Sequence, residues 1–303
     1  MQQDKTNLQK RIESGKTLVT AEIAPPRSTD GQAVRAVAKR FSGKVHAIGV
    51  SDNKDSITMS AVAAASILAA ENVEPILHMA TRDRNRAALV SDFLGACALG
   101  VRNVLCTSGT HQTLLPFRAA KNVFDIDATV LIQTLHDLKK NAKIVGEKNI
   151  DGDVSYCLGA VVSPYADPMD LQLPRLAQKI FVGAQFVVTH PVFDLERFNA
   201  WWKEVTNRGL HEKAAFIAGI KIFTDAAAAK AFSEKRPLPM VPDAMLARLG
   251  LKSGASRGEG IKIALETIEK LSSINGLRGF QVEVDGDADA AIEVLDTLKS
   301  KLG

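Results

Sequence analysis

Residues 75–108 read PILHMATRDRNRAALVSDFLGACALGVRNVLCTS, and the order of features in this stretch decides the fold class. A short apolar run (75–81) gives way to a polar turn. RAALVSDFLGACALG (86–100) follows, with apolar residues at three- and four-residue spacing and Gly100 at its end. The stretch closes on a second apolar run, NVLCTS (103–108). A near-continuous apolar strand is buried on both faces, three- and four-residue spacing marks one face of a helix, and a terminal glycine ends a helix cleanly. Strand, helix and strand in this order form one βαβ unit of a parallel sheet.

The same alternation runs outward in both directions. Apolar runs recur as LVTAEIA (18–24), VHAIGVS (45–51), VSYCLGAVV (154–162), FVVTH (186–190), AFIAGIK (215–221) and RGFQVEV (278–284), with AVAAASILAAEN (61–72) as a further helical stretch. With the first two runs this makes eight strands, which predicts an α/β fold: one (β/α)8 TIM barrel over residues 1–303. The polar, amphipathic residues 1–16 are predicted as an N-terminal helical extension. An open doubly wound sheet is the competing fold, but no GxGxxG loop follows the first strand to support a dinucleotide-binding version. After the seventh strand, Pro237, Pro239 and Pro242 break the stretch 224–250, which predicts an extra helix or loop there. Residues 140–155, KNAKIVGEKNIDGDVS, are the most loop-like of the chain.

Composition narrows the function. Apolar residues at 46% and charged residues at 24% suit a folded globular chain rather than a disordered one. The net charge of +4 is scattered rather than gathered in a basic block, and aromatic residues are only 5%, so a nucleic-acid surface is not expected. Cys97, Cys106 and Cys157 are odd in number and form no CxxC pair, which speaks for reduced core thiols. No signal-peptide apolar segment opens the chain and no run approaches membrane-spanning length, so a cytoplasmic protein without membrane contact is expected.

In such barrels the chemistry sits at the C-terminal ends of the strands. Glu22 interrupts the apolar first strand. A carboxylate buried there either pairs with a barrel cation or holds a proton near neutrality and acts as a general acid. His78 stands alone in the third strand with no second histidine at metal-ligand spacing, so no metal site is predicted. Arg82 and Arg84 suit a phosphate or pairing with Asp83 and helix termini. CTSGTHQ (106–112) places Gly109 where backbone can approach a flat or anionic ligand. Lys221, at the end of the seventh strand, is either a paired lysine or a Schiff-base nucleophile.

Taken together, AEIAPPR (21–27), HMATRDRN (78–85), the Gly109 loop, VVSPYADP (161–168) and FVVTHPVFD (186–194) occur in one fixed order. In that order the chain resembles the methylenetetrahydrofolate reductase family, in its shorter bacterial, acetogen-like form. The resemblance implies a barrel that binds FAD and reduces 5,10-methylenetetrahydrofolate to 5-methyltetrahydrofolate by hydride transfer. It makes Glu22 the catalytic residue that promotes protonation and opening of the imidazolidine ring. It assigns flavin contacts to Ser51, His78, Thr107, Ser108, Gly109, Thr110, Phe124 at the start of the next helix, Ser163, Asp167, Gln172 and Lys179. Substrate contacts fall to Glu22, His190 and Lys221.

Three positions depart from the family pattern. Thr110 replaces an aspartate, His190 a glutamine, and Lys221 an uncharged residue. A cationic Lys221 or His190 would favour an anionic reduced flavin. The electron donor is NAD(P)H or a partner electron-donor subunit, and a homo- or hetero-oligomer is compatible with either. Competing functions are a flavin-free barrel that binds methyltetrahydrofolate and passes its methyl group to a corrinoid protein, a non-catalytic flavin- or folate-binding subunit, and a class I aldolase built on Lys221.

Overall fold

The computed structural model describes residues 5–142, 150–151, 155–235, 240–250, 256–284 and 286–302. Its strands are β1 (Leu18–Ile23), β2 (Ala47–Val50), β3 (Pro75–Ala80), β4 (Asn103–Thr107), β5 (Cys157–Val162), β6 (Phe186–Pro191), β7 (Ala215–Lys221) and β8 (Leu277–Glu283). All pair in parallel with their sequence neighbours, and β8 returns to β1, closing the barrel in the order β1 to β8. The predicted α/β class, a (β/α)8 TIM barrel, is the observed one.

Helices cover the outside. In chain order they are α1 (Asn7–Glu13), α2 (Gln32–Phe41), α3 (Ala61–Ala70), α4 (Arg86–Ala98), α5 (Ala128–Asn141), α6 (Met169–Phe181), α7 (Leu195–Asn207), α8 (Leu210–Lys213), α9 (Ala226–Lys235), α10 (Asp243–Gly250), α11 (Ser256–Ser272) and α12 (Ala288–Leu302). Several starts are written in the sequence. Asn85, the last residue of TRDRN, caps α4 by accepting from the Ala88 amide at 2.9 Å, and Asp127 does the same for α5 through Val130 at 2.8 Å.

Alternation along the strands divides the interior. Val19, Ala21 and Ile23 of β1 join the large cluster between sheet and helices, whereas Leu18 points into the barrel with Ala47, Ile76, Leu105, Cys157, Phe186 and Ile217. Leu8 of α1 belongs to that inner cluster and is fully buried, so the N-terminal helix inserts a side chain into the lower end of the barrel. A Thr6–Gln9 capping box holds α1, and the Glu74 carboxylate accepts from the Asn7 and Leu8 amides at 2.7 and 2.8 Å.

Cys106 and Cys157 are buried, and burial pushes both thiols up to about 12, which leaves them inert at neutral pH. β5 starts at Cys157, later than the predicted 154–162. Residues 143–149 and 152–154 of the predicted loop lie outside the described residues, as do Pro237 and Pro239. The extra structure expected after β7 is present as α9 and α10. Phe223 and Phe232 pack there with Phe193, Val241 and Leu249 in a small separate cluster. Among the described residues no helix is long and apolar enough to cross a membrane.

Candidate functional site

Toward the C-terminal ends of the strands the barrel lining turns polar. Thr20, Glu22, His78, Gln281 and Glu283 are all buried there, above the apolar inner cluster. All of these but Thr20 line a cleft of about 460 Å³, within the roughly 300–1,000 Å³ range of small-molecule sites.

Glu22 is held on both sides. Its Oε1 accepts from Lys54 Nζ at 2.7 Å and its Oε2 from Gln281 Nε2 at 2.7 Å. Glu283, the Cα partner of Glu22 on the neighbouring strand, lies 3.1 Å from the same Lys54 ammonium and 3.2 Å from Lys221. Lys54 comes from the loop after β2. Asn53, at φ +46°, turns the chain there, and its side chain accepts from the Thr58 amide at 3.1 Å. The result is a chain of alternating charges, Glu22, Lys54, Glu283 and Lys221, at the tops of β1, β7 and β8.

His78 lies lower in the lumen, in space left by the missing side chain of Gly49, where a Cβ would come within 2.8 Å of the ring. Its Nε2 is buried without a hydrogen-bond partner among the described residues. Burial, aided by the charge on Lys54, lowers its pKa to about 3, so the ring is neutral under ordinary conditions.

The floor of the opposite wall is the loop after β4. Gly109 adopts φ +81°, and a Cβ there would meet the Cβ atoms of Arg82 at 3.2 Å and Ala80 at 3.3 Å. Only glycine fits without displacement. Arg82, almost fully buried, explains why the loop is fixed: it donates to the Thr110 and Asn53 carbonyls, both at 3.1 Å, and pairs with Asp83. Arg84 pairs with Asp52 and with Asp92, the latter at 2.7 Å. Burial raises the Asp52 carboxyl, and the Arg84 charge and the Ala80 amide counter it. Both arginines of the TRDRN run are therefore engaged in holding the loops.

From the far side, Lys179 of α6 reaches the cleft and donates to the Val161 carbonyl at 2.9 Å. Among the described residues no carboxylate stands within ion-pair distance of it, and burial lowers its pKa. On β6 the pairing with β7 shifts register between Val188 and Pro191, and the consecutive residues Val188, Thr189, His190 and Pro191 all line the cleft. Such an irregularity re-aims side chains that strict alternation would place otherwise.

A family model described as methylenetetrahydrofolate reductase matches residues 7–298. The chain belongs to the methylenetetrahydrofolate reductase family. A probable methylenetetrahydrofolate reductase (NADPH) from Caenorhabditis elegans is 27% identical over 158 residues, 52% of this chain and 22% of the relative. The match thus spans about a fifth of that longer protein. Among solved structures, a protein from Clostridium thermocellum that binds two copies of 5-methyl-5,6,7,8-tetrahydrofolic acid is similar with a TM-score of 0.67 and 14% identity. It covers 97% of this chain and 99% of its own, a likeness of fold.

Within this family member the residues singled out by sequence divide in two. Glu22, Ser51, His78, Thr107, Ser108, Gly109, Thr110, Ser163, Lys179 and His190 come together around the cleft. Four stand off its lining. Phe124 lies in the loop before α5 rather than at a helix start, 40% exposed and stacked on His111 at 6.2 Å. Asp167 is exposed and paired with Arg197. Gln172 sits half-buried in the first turn of α6. Lys221 is turned toward Glu283 and the rings of Phe223 and Phe232, 5.8 and 5.3 Å from their centroids.

Sequence reading passed over Lys54, Gln281, Glu283 and Lys235, which all line the cleft. For Gln281 and Glu283 a signal was available. They alternate with the apolar Phe280 and Val282 in the eighth strand, the pattern of polar side chains facing a barrel lumen.

Proposed function

We propose that this chain is a flavin-dependent methylenetetrahydrofolate reductase, which converts 5,10-methylenetetrahydrofolate to 5-methyltetrahydrofolate. The observation that carries the reading is Glu22: a buried carboxylate at the top of β1, on the cleft surface, with both oxygens oriented by donors. In its protonated form Glu22 gives its proton to a nitrogen of the imidazolidine ring. The C–N bond to the methylene carbon then breaks, the electron pair stays on that nitrogen, and the carbon is left as an iminium electrophile. A reduced FAD held in the same cleft would supply the hydride that this carbon accepts, and would itself be left oxidised.

The residues present fit a flavin. The Gly109 loop offers backbone at close approach, with the Thr107, Ser108 and Thr110 hydroxyls beside it. His78 carries a buried nitrogen with an open hydrogen-bonding position. Lys179 brings a desolvated ammonium with spare donors, suited to a diphosphate. Ser51 and Ser163 complete this wall. Phe124, Asp167 and Gln172 belong, in this reading, to the nucleotide end of a cofactor longer than the cleft.

His190 and Glu22 are the pterin contacts. Lys221 acts on the substrate side through Glu283, which its ammonium engages. Electrons reach the flavin from NAD(P)H or from a partner subunit, and the chain works in the cytoplasm, alone or as a homo- or hetero-oligomer. The aldolase reading loses ground because Lys221 is paired and packed against aromatic rings rather than exposed on the cleft.

The visible spectrum of the purified chain, before and after titration with FAD, separates the remaining readings. A flavin band, with FAD as the released cofactor, supports the reductase. A colourless protein that takes up no flavin and still binds 5-methyltetrahydrofolate favours a methyl-transfer barrel.

A further inference from the structure

The ammonium of Lys54 stands between two buried carboxylates. It lies 2.7 Å from Glu22 Oε1 and 3.1 Å from Glu283 Oε2, and the two glutamates face each other as Cα partners on β1 and β8. Their side chains are 10% and 6% exposed, so solvent screens them little. Without a cation between them, two carboxylates this close could not both ionise readily, and one would keep its proton to higher pH. With the cation in place the doubly ionised pair, which is the state reached once Glu22 has given up its proton, is tolerated.

We propose that Lys54 and Glu283 are positioning residues for the proton step. Lys54 keeps Glu22 aimed into the cleft and compensates the carboxylate that remains once the proton has passed to the substrate nitrogen, and Glu283 holds Lys54 at that position. The assignment rests on the reductase reading for the destination of the proton, but the charge network itself does not depend on it.

The geometry gives each member a distinct part. Gln281 Nε2 fixes the second oxygen of Glu22, and Thr20 Oγ1 lies 3.4 Å from Gln281 Oε1, which orients the amide. Lys221 Nζ holds Glu283 from the other side, and the Phe223 and Phe232 rings of the β7–α9 region back that ammonium. The remaining charged or titratable groups around the cleft are Asp52 and Arg82 on the β2 and β3 loops, His78 on β3, His111 after β4, Lys179 on α6, His190 on β6 and Lys235 on α9. Asp52 is bound to Arg84 and His78 is neutral, while Lys54 contacts Glu22 directly and Glu283 contacts that cation.

Opposite shifts in two variants test the assignment. In infrared titrations, the protonated-carboxyl band of Glu22 is identified by its loss in Glu22→Gln. It should persist to a pH higher by roughly one unit or more in Lys54→Met, and disappear at lower pH in Glu283→Gln. Lys54→Arg, which keeps the cation, should stay near the unsubstituted protein, and circular dichroism verifies that each variant folds. The alkaline limb of kcat for methylenetetrahydrofolate reduction should move in the same directions. An unchanged Glu22 band in all variants of an active chain overturns the Lys54 assignment and leaves the reductase reading standing. Shifted bands in a chain that binds flavin but does not reduce the folate overturn the reductase reading, and with it the proton's destination.

Discussion

Glu22 and Glu283 occupy one rung of the barrel, paired across β1 and β8, and a single ammonium, Lys54 Nζ, lies within 3.1 Å of both. The first carboxylate is the acid in the proposed reaction. The second carries only the weaker signal of polar alternation in the eighth strand, and its partner becomes visible once the barrel closes and brings the last strand beside the first. Much of the chemistry proposed for this protein depends on that closure.

Glu22→Gln keeps the shape of the side chain and removes the transferable proton. It should lower kcat for methylenetetrahydrofolate reduction by about 10²–10⁴-fold, the usual contribution of a general acid, and change the Kd for 5-methyltetrahydrofolate far less. Steady-state kinetics paired with calorimetric binding reads both. Equal losses in binding and turnover would mark Glu22 as a binding residue only.

Gly109→Ala forces a side chain into a backbone at φ +81° and against Arg82 and Ala80. The expected cost is roughly 1–2 kcal/mol of stability, with a several-fold weaker affinity for FAD because the loop must shift. Denaturant unfolding and fluorescence titration with FAD measure the two effects. Unaltered flavin affinity would remove the loop from the cofactor site.

His78 makes a pH prediction whose sign follows from linkage. Its folded pKa is about 3, against an ordinary value of 6.5. Above pH 6.5 both folded and unfolded forms carry a neutral ring, so His78 imposes no penalty. As pH falls from 6.5 toward 3 the unfolded chain binds the proton and the folded chain does not, so stability declines by about 1.4 kcal/mol per pH unit from this group. His78→Gln should flatten the acid side of the stability profile in that window, as read from unfolding midpoints at successive pH values. Parallel profiles for the two proteins would show that His78 titrates alike in the folded and unfolded chain.

Leu8→Ala should cost about 2–5 kcal/mol, because it empties a fully buried position in the lower barrel. The cleft is at the other end, so kcat measured well below the unfolding temperature should hold. A loss of activity without a loss of stability would contradict the role of α1 as a purely structural plug.

How much of this was legible in the sequence depended on the kind of signal each residue carries. The strands announced themselves because both of their faces are buried, so the apolar runs are nearly unbroken. Asn85 and Gly100 mark the ends of α4 by local chemistry that needs no tertiary context. Glu22 was legible for the opposite reason: a charge inside an apolar strand has to be used or neutralised.

Lys54 was not, because SDNKDS reads as a solvated turn, and nothing local says that Asn53 bends it back over the barrel. Motif order places Phe124, Asp167 and Gln172 near the right strand ends, but it carries no information about side-chain direction, and all three stand off the cleft lining. Lys221 sits at the end of β7 where its strand position puts it, but its ammonium is turned to Glu283 and off the cleft lining. Its partner Glu283 lies 62 residues further along the chain, and only the β7–β8 register joins them.

The most direct test of the reductase reading is the anaerobic half-reaction. The chain loaded with FAD is reduced photochemically and mixed with 5,10-methylenetetrahydrofolate while the flavin absorbance is followed, and the products are separated afterwards. Return of the oxidised flavin band with one equivalent of 5-methyltetrahydrofolate per flavin is the predicted result. A flavin that stays reduced in the presence of bound folate would contradict it.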